Sequence, residues 1–543
     1  MVNDRKWWKE AVVYQCYWRS YFDSNNDGIG DLRGLTAKLD YIKELGVDII
    51  WLNPCFVSPD KDNGYDIADY CAIIPKAGTM ADFDELLRET HKRGLKMIMD
   101  LVVNHTSNQH QWFLEARSSR DNPKRNWYIW RDPVDNQPPN NYKAYFSPSA
   151  WEYDELTGQY YFHSFAIEQP DLNWKNPELR QAIYSMMRFW LDKGVNGFRM
   201  DVINMLAKKD GFPNAEQPEL LDYMSNNPGV HGYLQEMNRE VLSKYDILTV
   251  GECPWTNPQN GTLFAGFDRG ELNTLFHFEC TQEMPVVDWN KFKKIQSKWH
   301  RAFFGRAWNS QYLSNHDVPR QVSKYASAGV YRIPAAKMLA TLIHMLPGMP
   351  YIYQGEEIGM TNVQFETIDE YDDIWMKHRY QEIMTTINCE ADQKTAFDEL
   401  RRNARDNART PMQWNDEANG GFSTSKPWLA VNPNYTTVNV HADRVAGDSV
   451  FRYYQQLIAL RKTLVPVIVY GDYREIDCRD ERIYAFERFT GSDCIRVILN
   501  TSAAEIAMPD GCVGWGEQLC NYGKMSKGTL RPYEVLIVKK IME

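Results

Sequence analysis

Three segments of this 543-residue chain run from an apolar, strand-like stretch into an acid: GFRMD ending at Asp201, VGE ending at Glu252 and NHD ending at Asp317. Two of these acids carry a companion suited to chemistry. Arg199 stands two residues before Asp201, on the same face of an extended strand, where it can hold a carboxylate ionised and oriented. His316 directly precedes Asp317. A single acid after a strand is most often a helix cap or a turn former, but three in this context point to one site. Converging carboxylates are what glycosidic cleavage requires. One is ionised to attack or stabilise an oxocarbenium-like centre, and another is protonated to release the leaving oxygen.

Acids so far apart meet only if their strands end at a common rim, as they do in a closed parallel barrel. Helical spacing over 35–45 stops at Gly46, before the short apolar run VDIIWL (47–52), and the cycle repeats with FDELLRETHKRG (83–94) and LKMIMDLVVNH (95–105). Helices around Leu179–Leu191 and Leu234–Leu242 precede the runs VNGFRM and ILTVGE. Strand candidates near 12, 49, 98, 198, 249, 274, 311 and 350 number eight, enough to close a barrel. The predicted fold class is therefore α/β, a (β/α)8 TIM barrel over 1–105 and 174–470, with an open doubly wound sheet as the alternative. Residues 106–173, rich in Trp, Tyr, Asn and Pro, read as a domain inserted after strand 3, and about 359–430 as a subdomain. Short alternating strands such as RIYAFERF and CIRVILN make 471–543 a C-terminal antiparallel β-sandwich domain.

A net charge of -11 argues against nucleic acid or an anionic membrane surface as a partner. No run of 18 apolar residues is available to span a bilayer. Aromatics make up 13% of the chain, with 18 Trp and 31 Tyr, a supply suited to stacking on the faces of a small neutral sugar. Ten Cys without a CxxC pair suggest reduced thiols in the cytoplasm, rather than a disulfide framework or a zinc site.

The order DLVVNHTS (100–107), GFRMDVIN (197–204), VGE and NHD resembles the α-amylase superfamily, glycoside hydrolase family 13, over essentially the whole chain. YDIADY (65–70), QPDLNW (169–174) and RDNARTPMQW (405–414) are similar to its oligo-1,6-glucosidase and α-glucosidase branch. The resemblance implies that Asp201 is the nucleophile, that Glu252 is the acid and base, and that Asp317 binds the 2- and 3-hydroxyls of the glucose being transferred. His105 and His316 are implied as hydrogen-bond donors to that glucose. Asp66 and Arg405, with Arg409 as the alternative Arg, resemble the pair that closes the pocket behind a terminal glucose, and Tyr65 resembles the ring on which it stacks. Phe165 matches an aromatic flanking the leaving sugar, and Val202 goes with α-1,6 cleavage in the relatives.

The sequence DSNNDGIGDLRG (23–34) sets Asp23, Asn25 and Asp27 at alternate positions before Gly28, hard oxygen donors at a spacing that suits calcium. Gly34 replaces the Glu of an EF-hand, while Asp31, with the carbonyl of Ile29, resembles the rest of the metal loop of this branch; a metal-free Asx turn is the alternative. The expected protein is a retaining, exo-acting α-glucosidase that removes terminal α-1,6-linked glucose from isomaltose and short isomalto-oligosaccharides, as a monomer or weak homo-oligomer. The alternatives are an α-1,4-preferring glucosidase, a trehalose-6-phosphate hydrolase, a sucrose- or trehalose-forming isomerase, and, outside the enzymes, an inactive barrel that serves as a binding subunit.

Overall fold

The eight runs read as strands form one parallel sheet that closes on itself. A computed structural model describes residues 5–491, 493–509, 515–526 and 528–540. The barrel strands are β1 (Val13–Cys16), β2 (Ile49–Leu52), β3 (Lys96–Leu101), β4 (Gly197–Met200), β5 (Leu248–Glu252), β6 (Thr274–Phe276), β7 (Ser310–Gln311) and β8 (Met349–Tyr353). Neighbours in sequence pair in parallel from β1 to β6, β7 pairs with β8, and β8 returns to β1. A parallel bridge between Leu275 and Asn309 closes the ring. The closed barrel, not the open sheet, is the architecture.

Strand periodicity sorts the interior into layers. Val13, Ile49, Ile98, Leu248, Val250, Phe276, Met349 and Tyr351 pack together as an apolar floor. Further along the same inward face come Asp100 on β3, Arg199 and then Asp201 on β4, and Glu252 at the end of β5. The barrel thus buries its charge at the C-terminal rim. Gly197 starts β4 because nothing larger fits: its φ is +137°, and a Cβ there would sit 1.8 Å from the carbonyl oxygen of Leu248.

The outer helices follow their sequence signals. Helix Pro177–Asp192 starts on Asn176, whose side chain accepts the N–H groups of Glu178 and Leu179, and Pro177 occupies the first turn. The helix read over 35–45 is divided, Leu32–Ala37 and Leu39–Leu45, because Lys38 leaves helical geometry. Between β2 and β3 an unforeseen hairpin, Phe56–Val57 against Asp69–Ile73, frames the loop that carries Asp62 and Tyr65. After β3, the strands Trp130–Arg131, Trp151–Asp154 and Gln159–Phe162 form a small antiparallel sheet. After β8 come the helices Ile374–Thr386 and Glu390–Arg402, then the short helix Asp406–Arg409.

A five-stranded antiparallel sheet occupies Asp472–Lys540, faced by the short pair Ile506–Ala507 and Thr529–Leu530. Its alternate residues serve two cores. Tyr484, Phe486, Val497 and Ile537 join the barrel's main core, whereas Ile498, Leu536 and Val538 meet Ile506 and Leu530. Buried Arg488 fastens the junction by donating to the carbonyls of Met345 and Gly471. Among the described residues, no helix is long and apolar enough to cross a membrane.

Candidate active site

A cavity of about 900 Å³ opens over the C-terminal rim of the barrel, where Asp201, Glu252 and Asp317 all line it. Asp62, Tyr65, His105, Phe165, Val202 and Arg405 line it too. Four segments supply its far walls: the inserted domain through Tyr145 and Phe146, the loop after β5 through Trp255, the loop after β6 through Glu283, and helix Ile374–Thr386 through Trp375 and Ile383.

Arg199 lies beneath Asp201 and Glu252, 1% exposed. One terminal nitrogen of its guanidinium donates to Asp201 Oδ1 at 2.7 Å and to Asp100 Oδ1 at 2.5 Å, and the other lies 2.7 Å from Glu252 Oε2. Asp100 is held from its other side by the indole N–H of Trp51 at 2.7 Å, so it orders the arginine and never reaches the cavity. Burial pushes the Asp201 carboxyl well above its ordinary range, Arg199 opposes the shift, and the charges on Glu252 and Asp100 add to it. One guanidinium cannot neutralise three carboxylates, so Arg199 offsets the burial of Asp201 only in part. The shared guanidinium also keeps the two carboxyls close together, the arrangement a double displacement needs.

Asp317 has the opposite electrostatics. Burial alone would raise it, but His316, Arg405 and Arg409 outweigh that cost and hold it well below the usual carboxylate range. His316 Nε2 lies 2.9 Å from Asp317 Oδ2, Arg409 donates to Oδ1 at 2.7 Å, and Arg405 lies 3.3 Å from the same oxygen. Asp317 is a fixed anion, suited to accepting sugar hydroxyls.

Several expected contacts fall elsewhere. Asp66 does not line the cavity. It is fully buried, and its carboxylate accepts the Ser58 hydroxyl and the N–H groups of Lys61 and Asp62. Its burial pushes the carboxyl up to about 6, against those bonds. Asp62 takes the position expected of Asp66, lining the cavity 3.4 Å from Arg405. The sequence DNGYD offers both acids, and only the turn that Asp66 organises tells them apart. His316 likewise sits one layer down, stacked under Tyr65 at 5.3 Å with the two rings nearly parallel, and with Gln15 on its Nδ1. His105 does line the cavity, and its Nε2 lies 3.1 Å from the Tyr65 carbonyl oxygen; burial lowers its pKa, so the ring stays neutral. Of the two candidate arginines, Arg405 faces the cavity, whereas Arg409 lies beneath it and donates to the His316 carbonyl.

Asp373 gave no sequence signal. It caps helix Ile374–Thr386 through the Trp375 N–H and accepts from Arg405 at 2.5 and 2.9 Å. It thereby ties the helical wall of the cavity to Arg405.

The acidic loop stands apart from the cavity. Asp23 accepts the N–H groups of Asn25, Asn26 and Gly28 and the Ser423 hydroxyl, while Asp31 caps helix Leu32–Ala37 through the Gly34 N–H. Asp27 accepts from Asn25 and Ile29. An all-oxygen donor set with three carboxylates, none ion-paired among the described residues, fits calcium in its chemistry. The acids themselves do not converge: no three His, Cys, Asp or Glu of the described residues gather closely enough to hold a metal ion.

Comparison with known proteins agrees with this geometry. Residues 15–471 match the model of the alpha-amylase catalytic domain. The oligo-1,6-glucosidase of Parageobacillus thermoglucosidasius is 50% identical, with 99% of both chains covered. The trehalose-6-phosphate hydrolase of Bacillus subtilis (strain 168) is 44% identical, with 98% of both covered. Among solved structures, the isomaltulose synthase of Erwinia rhapontici NX5 with sucrose superposes with a TM-score of 0.94 at 40% identity, with 99% of both chains covered. By its matched catalytic domain and its full-length relatives, this chain belongs to the α-amylase family of glycoside hydrolases.

Proposed function

We propose that this enzyme is a retaining exo-α-glucosidase that cleaves terminal α-1,6-linked glucose from isomaltose and short isomalto-oligosaccharides. The observation that carries the reading is the pair Asp201 and Glu252 on one guanidinium at the cavity floor. Arg199 holds Asp201 Oδ1, leaving Oδ2 to attack the anomeric carbon. As the bond to the leaving oxygen breaks, Glu252 gives that oxygen its proton, and Asp201 becomes bonded to glucose. Positive charge growing on the ring over Asp201 favours its ionised form, the form that attacks. Glu252 then takes a proton from water, the water oxygen attacks the same carbon, and Asp201 is released with the original configuration restored.

Exo action follows from the back wall, where Asp62, Arg405 and Tyr65 close around one ring. The preference for α-1,6 bonds draws on Val202, which lines the cavity next to the nucleophile, and on the names of the relatives. The cationic groups on the leaving-group side also favour a neutral second sugar over a sugar phosphate: Arg379 pairs with Glu382, and Lys324 donates to the Thr281 carbonyl. We place the enzyme in the cytoplasm, where buried thiols such as Cys16, Cys55 and Cys253 stay reduced, and we assign the loop 23–31 a structural calcium ion. Initial rates on isomaltose, maltose and trehalose 6-phosphate test the linkage. Isomaltose is expected to give the highest kcat/KM, and a preference for either of the others would refute the α-1,6 reading.

A further inference from the structure

Val202 has a backbone that its side chain resists. Its φ is +35° and its ψ +42°, the left-handed region, and among the described residues it is the only β-branched residue with positive φ. A β-branched residue pays sterically for this conformation, which persists only where the surroundings impose it, and such outliers concentrate at functional sites. The surroundings do impose it here. The Asp201 N–H is fixed to the Leu101 carbonyl at 3.0 Å, the Val202 carbonyl accepts the Met205 N–H at 2.9 Å, and the Val202 side chain packs with Ile129, Met205 and Trp255.

The turn changes what the Val202 N–H meets. Residue 201 bonds towards β3, so the next N–H faces β5. β5 ends in Glu252, and the Val202 N–H donates to Glu252 Oε2 at 3.1 Å. Among the described residues, this is the only hydrogen bond that the Glu252 carboxyl makes. The second nitrogen of Arg199 approaches the same oxygen, at 2.7 Å. Both N–H-bearing groups therefore stand against Oε2, and among the described residues none donates to Oε1.

We infer that the Val202 amide is a positioning group for the catalytic acid: it makes Oε2 the carbonyl side of the protonated carboxyl and places the transferable proton on Oε1. In the glycosylation step the Oε1–H bond breaks, the proton goes to the glycosidic oxygen, and the C1–O bond breaks as C1 bonds to Asp201. In the second step Oε1 recovers a proton from water. An oxygen that accepts a backbone N–H cannot present a proton in that direction, so the strained turn selects which oxygen does the work. This inference rests on the glycosidase reading above.

The test replaces Val202 with the corresponding α-hydroxy acid, which exchanges the N–H for an ester oxygen and keeps the side chain. Two substrates separate the roles: isomaltose, whose leaving oxygen needs a proton, and 2,4-dinitrophenyl α-glucoside, whose leaving group departs without one. Because kcat/KM reports only the steps up to glucosyl transfer, it isolates the acid. It is expected to fall about 10-fold or more for isomaltose and to stay within about 2-fold for the dinitrophenyl glucoside. Equal losses on both substrates, or no loss on isomaltose, overturn the inference. Release of dinitrophenolate by the wild type checks the glycosidase reading separately, since glucosyl transfer from this substrate needs Asp201 and no proton from Glu252. Where the ester variant fails to fold, a neutron crystal structure of the wild-type enzyme at a pH where Glu252 is protonated decides the matter. A deuteron on Oε1, with the Val202 N–D aimed at Oε2, supports the assignment, and a deuteron on Oε2 refutes it.

Discussion

Residues of the same type in one short loop have different jobs here, and the difference is physical rather than chemical. Asp62 and Asp66 lie four positions apart, yet one lines the cavity and the other is sealed under the turn it organises. Removing Asp62 takes away a ligand contact, so Asp62→Ala should raise KM for isomaltose about 10-fold or more and leave the melting temperature nearly unchanged. Removing Asp66 leaves a buried hydroxyl and two backbone N–H groups without an acceptor, at a cost of about 2–4 kcal/mol. Asp66→Ala should therefore melt well below the wild type. Thermal melts and steady-state kinetics on both variants check the assignment; a KM effect confined to Asp66→Ala would reverse it. The three cavity acids were legible because each follows an apolar, strand-like run, and two of them have a recognisable neighbour in Arg199 or His316. Asp373 was not, since its role arises from a contact with Arg405, 32 positions away, that no local pattern encodes.

At the scale of elements, the segment after β8 shows how the barrel manages buried charge. The turn Glu356–Ile358 places Glu356 fully inside, bonded to the Ser314 hydroxyl just before the NHD segment. Burial pushes its carboxyl up to about 8, opposed by the Ser314 bond and assisted by the charge on Glu357. The folded protein therefore holds this proton more tightly than the unfolded chain does. The stability it contributes is fully present below the ordinary value of 4.5 and is lost as pH rises towards 8. Glu356→Gln removes that loss, so its melting temperature should gain on the wild type steadily from pH 5 to pH 8. A difference that stays constant with pH would show that Glu356 does not titrate in this window. The strands and most helices were readable from periodicity, whereas the hairpin around Asp62 and the break at Lys38 were not. Short irregular segments owe their shape to tertiary contacts rather than to their own pattern.

The whole molecule surrounds one barrel rim with walls from several loops and insertions and fastens the C-terminal sheet to the barrel through residues such as Arg488. The loop 23–31 belongs to this outer scaffold: Asp23 accepts the Ser423 hydroxyl, linking the first barrel loop to the segment after β8. If calcium neutralises its three carboxylates, prolonged chelation should lower the melting temperature, added calcium should restore it, and Asp27→Asn should shrink the difference. A melting curve unaffected by chelation, with no bound metal detected, would remove calcium from the description. The barrel was predictable as a whole because the alternation of strand and helix leaves few topologies. Which insertion supplies which wall was not, because the walls are built from contacts between segments that lie far apart in the chain.

The central claim is that Asp201 forms a covalent bond to glucose. Incubating the enzyme with 5-fluoro-α-glucosyl fluoride, which slows release of the glucosyl group more than its transfer, should trap that species, and mass spectrometry of a peptic digest would locate it. A single fluoroglucosyl label on Asp201, within the peptide that contains GFRMD, is the predicted result. A label on another residue, or turnover of the reagent without any covalent adduct, would contradict the mechanism.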